Sequence, residues 1–188
     1  MVVLAIHVDD TTITGSTVKL VNEFKRQIGK KFEITDLGSI SWLLGLSIKQ
    51  DHATCTLYIS QKSYIESIIH PFNMDNVKSL TVPIDPNILL SKDQCPTTEE
   101  GKRDMKNISY CEAIGALNWV VIGSCLDIAF VVGQLAQYME NPRKSHWEAV
   151  KRVLRYLKGT KDLKLVYGNV GDKDLQAFFD ANGANQEH

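Results

Sequence analysis

Asp9 and Asp10 stand side by side after the apolar run of residues 2–8, and residues 11–14 resume β-favouring types before Gly15. Two neighbouring carboxylates repel each other, and a divalent cation or water must relieve the repulsion. Nucleotidyl transfer uses such acids to hold two ions about 3.5–4 Å apart, clamping the attacking and leaving oxygens. As a dipeptide alone, Asp-Asp is better explained by the preference of Asp for turns. A second constellation lies at Lys151, Arg152, Arg155 and Lys158, opposite an apolar stripe of Trp147, Val150, Val153, Leu154 and Leu157. Such a cationic face could follow a phosphate backbone without reading sequence. A solvated polar face explains a charge run at this spacing more simply. Asp180, in LQAFFDANGAN, is a third candidate and a lone acid.

The elements that must position these residues follow from periodicity. Residues 2–8 suit a strand buried on both faces, and with residues 11–14 they make a tight hairpin with the two acids at its tip. Residues 18–28 place Leu20, Val21, Phe24 and Ile28 on one helical face, with Gly29 as a C-terminal cap. Residues 32–34, 42–48 and 54–59 read as short strands. Ser60 can cap a helix carrying Tyr64, Ile65, Ile68 and Ile69 inward, and Pro71 stops it. Residues 75–106 hold Pro83, Pro86 and Pro96 among polar residues and read as a long connection. Beyond it, Ser109 with Glu112 makes a capping box, Asp127 can open a helix to about residue 139, and Ser145 with Glu148 makes another box before a helix ending at Gly159. A final strand pair is expected at residues 163–167 and 175–179.

The totals exclude several classes. In 188 residues, hydrophobic types make up 44% and charged types 23%, close to soluble globular averages. The formal charge of −1 argues against a constitutively basic nucleic-acid binder, although local patches survive in a neutral total. Cys55, Cys95, Cys111 and Cys125 are dispersed without a CxxC pair, which suggests reduced structural thiols and no zinc site. The apolar start is too short to span a membrane, so the reading is a soluble, intracellular protein.

The longer segments carry a resemblance. LAIHVDDTTITG resembles the palm hairpin of reverse transcriptases, in which two aspartates follow an apolar strand. FEITDLGSISWLLGLSI, ISQKSYIESIIHPFNM, YCEAIGALNWV and DIAFVVGQLAQYMENPRKSHWEAVKRVLRYLKGT are similar to successive segments of the copia-type retrotransposon Pol polyprotein, in its order and spacing. LQAFFDANGAN resembles the first strand of that family's ribonuclease H domain. Departures fall at His7, where the family usually has tyrosine, at Cys125-Leu126 in place of Arg-Pro, and at Asn182-Gly183 in place of Asp-Trp.

The resemblance implies an α+β fold. Residues 1–60 would be a partial palm of antiparallel strands and helices, residues 61–162 a mostly helical thumb- and connection-like region, and residues 163–188 the start of a truncated ribonuclease H domain. It implies Asp9 and Asp10 as catalytic, metal-binding residues and Asp180 as a weak metal ligand, with Mg²⁺ or Mn²⁺ as cofactor. RNA template and RNA–DNA hybrid would be partners, met by Lys151, Arg152, Arg155 and Lys158, along with the remaining portions of the polyprotein. The family's third palm aspartate and its fingers lie upstream. The expectation is therefore an RNA-directed DNA polymerase by descent that is inactive as this fragment. The alternatives are a non-catalytic nucleic-acid-binding remnant and a degenerate reading frame.

Overall fold

The structure, a computed structural model, describes residues 1–8, 10–85, 90–91 and 105–168. Strands β1 (Val2–His7) and β2 (Asp10–Gly15) form a two-stranded antiparallel sheet, followed by helix α1 (Val18–Gly29). A second antiparallel sheet has the order β3 (Trp42–Leu43), β4 (Leu46–Asp51), β5 (Thr56–Ser60) and β6 (Leu165–Tyr167). The remaining elements are helices α2 (Lys62–Ile69), α3 (Tyr110–Gly123), a 3₁₀ turn (Leu126–Ile128), α4 (Ala129–Ala136) and α5 (Lys144–Thr160). The mixture of antiparallel sheets and helices agrees with the α+β expectation. No helix among the described residues is long and apolar enough to cross a membrane.

The core belongs to the helices. Ile65, Ile69, Ile114, Leu117, Val132, Leu135, Val150, Val153, Leu154 and Leu157 are buried together, and among the described residues no apolar side chain before Tyr64 joins them. Two buried polar groups fix the packing. Gln61 donates from Nε2 to the Trp119 carbonyl at 3.2 Å and accepts from the Ser124 hydroxyl at 2.6 Å. An added Cβ at Gly123 would lie 2.2 Å from the Gln61 amide nitrogen, so any larger residue there would displace the Gln61 amide from these two bonds. The Tyr110 hydroxyl donates to the Leu135 carbonyl at 2.8 Å, tying α3 to α4.

Several local expectations needed correction. Residues 32–34 form no strand: the Phe32 amide donates to the Ile28 carbonyl at 3.0 Å and prolongs the end of α1 instead. Residues 42–48 divide into two strands, because Leu44 (φ 50°) and Gly45 (φ 77°) make a two-residue turn between the paired Leu43 and Leu46. Ser109 makes no side-chain cap, and Asp127 sits within the 3₁₀ turn that leads into α4. Ser145 lies inside α5, whose N-cap is Arg143. His146 takes the role expected of Glu148, its Nδ1 accepting the Arg143 amide at 3.1 Å. Of the expected terminal strand pair, β6 is described and pairs with β5; residues 175–179 lie outside the described residues.

His146 is fully buried and stacks on Tyr138 with ring centroids 4.0 Å apart. Burial, reinforced by the Arg143 charge, pushes its pKa below the ordinary histidine value. The fold thus favours the neutral ring, and the unfolded chain takes up the extra proton, so stability is lost as pH falls below about 6.5. Urea unfolding at about pH 7.5 and about pH 5.5 should show a lower midpoint in acid. The drop should be smaller in His146→Gln, which keeps an acceptor for the cap but cannot be protonated.

Candidate catalytic hairpin and the basic helix

Strands β1 and β2 pair in the register Val2↔Gly15, Leu4↔Ile13 and His7↔Asp10, which leaves only residues 8 and 9 between them. A tight hairpin was expected, but with both acids at its tip; the connection instead falls one residue earlier, and Asp10 heads β2. Val8 has φ 52°, a left-handed conformation that a β-branched side chain rarely adopts. Helix α1 begins with Thr17, whose hydroxyl accepts the Leu20 amide at 3.4 Å. It lies so close to the hairpin that a Cβ at Gly15 would stand 2.9 Å from the Val21 methyl. Asp10 is exposed at the head of β2; Asp9 lies outside the described residues.

The expectation that β1 is buried on both faces is not met. Val3 is 46% exposed, Ile6 67% and Val8 81%. The strand has one neighbour, β2, and among the described residues only α1 leans on the pair. A run that is aliphatic but for His7 is written for burial, and the described fold supplies too little to cover it.

No three His, Cys, Asp or Glu side chains among the described residues are grouped as a metal site. Asp10 is a hard-oxygen donor of the kind Mg²⁺ prefers, but one carboxylate does not hold that ion. The described donor set is therefore insufficient for a metal centre. Asp180 falls outside the described residues.

Lys151, Arg152, Arg155 and Lys158 share one side of α5, and each has a partner within the chain. Lys151 pairs with Glu148 at 2.6 Å, one turn earlier. Arg152 approaches the Asp85 carboxylate at 3.4 Å. The Arg155 Nε donates to the Lys78 carbonyl at 2.8 Å, and Lys158 donates to the carbonyls of Asp75 and Val77, the latter at 2.8 Å. Three of the four thus grip residues 75–85, the described start of the long connection. Sequence reasoning missed this grip because backbone carbonyls leave no trace in residue types. Asp85, whose carboxylate faces Arg152, was the available signal within the connection. Nearby, the Tyr156 hydroxyl donates to the Asp127 carboxylate; this bond first, then burial and the Asp127 charge, pushes the Tyr156 pKa up to about 12.

A family described as reverse transcriptase (RNA-dependent DNA polymerase) matches residues 1–86. The chain is 38% identical over 183 residues to a retrovirus-related Pol polyprotein from transposon TNT 1-94 of Nicotiana tabacum, covering 97% of this chain and 14% of that protein. It is 28% identical over 187 residues to the Pol polyprotein from transposon RE1 of Arabidopsis thaliana, covering 100% of this chain and 12% of the relative. An uncharacterized mitochondrial protein of Arabidopsis thaliana, AtMg00810, is 30% identical over 96% of this chain and 71% of its own length. No solved structure matches. The chain belongs to the reverse transcriptase family, within the region carried by copia-type retrotransposon Pol polyproteins. It spans 12–14% of the length of the two polyproteins named.

The strained Val8 offers a direct test of the hairpin. Glycine adopts φ 52° without the Cβ clash, so Val8→Gly should relieve about 1–2 kcal/mol of local strain. Part of that gain will be offset by the greater freedom of glycine in the unfolded chain. Slower amide exchange at residues 4–6 and 11–13 is the expected result; unchanged or faster exchange would mean that the turn is not strained.

Proposed function

We propose that this chain contributes the catalytic hairpin and the helical region after it to an RNA-directed DNA polymerase. In this reading residues 1–60 are palm, residues 61–162 thumb- and connection-like, and residues 163–188 the start of a ribonuclease H domain. The observation that carries it is the His7↔Asp10 register, which ends an apolar strand in a two-residue connection beside an exposed carboxylate. Asp9 and Asp10 are the catalytic acids and supply two hard-oxygen ligands toward Mg²⁺ or Mn²⁺. Further ligands come from other parts of the polymerase and from substrate phosphates, so a polypeptide of these 188 residues holds the ion weakly and does not extend a primer by itself.

The test is a graft. These residues replace the corresponding segment of the tobacco Pol polyprotein, and cDNA synthesis on an RNA template is measured with Mg²⁺ or Mn²⁺. The graft is expected to copy RNA, and Asp9→Asn or Asp10→Asn within it to lose at least about a hundredfold in rate, about 2.7 kcal/mol of transition-state stabilisation. A soluble, folded graft that does not copy RNA would reject the reading, and so would an active graft indifferent to both substitutions. Primer extension by the 188-residue polypeptide by itself would show that it needs no other part of the polymerase.

A second reading, favoured by the cationic side of α5, is sequence-independent binding of an RNA–DNA hybrid. Here Lys151, Arg152, Arg155 and Lys158 would exchange their present partners for phosphates. Non-specific complexes of this kind have dissociation constants of about 10⁻⁴–10⁻⁶ M and weaken steeply with salt. Fluorescence anisotropy at two salt concentrations should show weaker binding and a shallower salt slope when Lys151, Arg155 and Lys158 are all changed to alanine. Equal binding by both proteins would confine these residues to holding residues 75–85 in place.

A further inference from the structure

Between α5, α4 and the connection lies a cavity of about 340 Å³. Met74, Val77, Ile84, Leu90, Val131 and Ala149 give it an apolar wall, while Arg152, Arg155 and Asp85 bring charge to it. The charges are unequally matched. Lys151 and Glu148 neutralise each other at 2.6 Å, and Arg152 and Asp85 face each other at a loose 3.4 Å. Arg155 has no carboxylate partner among the described residues; its one hydrogen bond goes to the neutral Lys78 carbonyl. A guanidinium matched only by a neutral carbonyl keeps its charge unneutralised, and an oxyanion is the acceptor it matches best.

We infer that this cavity binds a small amphipathic monoanion, an apolar body bearing one carboxylate or comparable oxyanion. The body rests on Ile84, Leu90, Val131 and Ala149, and the oxyanion meets the Arg155 guanidinium, whose Nη groups hold no partner among the described residues. The volume falls within the range of small-molecule sites, and an apolar wall with a few convergent polar groups is their usual composition. One unneutralised cation sets the preference for a single negative charge. A free inorganic anion satisfies the arginines but leaves the apolar wall wet, and a neutral hydrocarbon does the reverse.

Calorimetric titration of the 188-residue protein with octanoate, 1-octanol and inorganic phosphate tests this. Octanoate should bind at least about tenfold more tightly than either of the others. Ala149→Leu fills the cavity from α5 without removing a charge and should weaken octanoate about tenfold, as should Arg155→Gln, with the circular dichroism of both variants unchanged. Octanol binding as well as octanoate would show that the arginines are not used. Phosphate binding as well as octanoate would show that the wall is not used. Octanoate binding unaltered by Ala149→Leu would place the ligand elsewhere, and any of these three results overturns the inference. Ala149→Leu settles the matter if Arg155→Gln loosens the connection and unfolds the chain.

Discussion

Helix α5 has to satisfy two environments at once, and the rest of the helical region is arranged around that demand. Val150, Val153, Leu154 and Leu157 are fully buried on one side and furnish the surface on which α2, α3 and α4 pack. The other side is cationic and would lie in water were it not for the connection after α2. Long basic side chains can lay their methylene stems along apolar surface while their charged ends reach backbone carbonyls. Lys158 and Arg155 do this toward Asp75, Val77 and Lys78, and so the described start of the connection, residues 75–85, is held along α5. Lys62–Asp162 at 2.6 Å and Lys161–Glu66 at 2.7 Å extend the same logic to the far end of the helix. These ion pairs are substantially exposed and individually weak, and they act on a junction that the buried stripe already positions.

The hairpin obeys a different constraint. Its strands are specified by residue type and could be read without coordinates, whereas the turn falls one residue earlier than the sequence suggests, since the two acids look like turn residues and Asp10 in fact pairs with His7. Its environment could not be read, because burial depends on what else covers the strand, and residue type records only the demand. The run of residues 2–8 announced a two-sided burial that β2 and α1 do not provide. The helices were legible wherever a stripe was long: α1, α2 and α5 fall close to their expected bounds. Caps were less legible, since Ser109 and Ser145 carry the right side chain in the wrong backbone geometry, and His146 replaces the expected glutamate because its ring nitrogen reaches the same amide. The strand at residues 42–48 failed for a reason visible afterwards, a glycine with positive φ in Leu44-Gly45.

For the site, the sequence located the acids and the basic helix and could not foresee their partners. Asp10 stands opposite His7 in the ladder, a pairing set by a turn at residues 8 and 9 and not by the expected tip at the two acids. The engagement of Arg152 with Asp85 and of Arg155 with Lys78 joins residues far apart in the chain, which local periodicity does not encode. Family membership adds information of another kind. It says what the hairpin descends from, whereas the contacts of α5 say what its cations now hold.

The pairing of β6 with β5 has a kinetic side. Ile59 and Leu165 meet across the whole helical region, and closing so long a loop by diffusion is entropically unfavourable. Once α2 and α5 have packed through their buried stripes, Ser60 and Thr160 are already close, with the Lys62–Asp162 and Lys161–Glu66 pairs across the same junction, so the short β6 strand needs only a local search. The sheet is thus completed late and opens early. Its last strand reports on the integrity of α5, and whatever unseats that helix releases β6 before the paired strands β4 and β5 feel it.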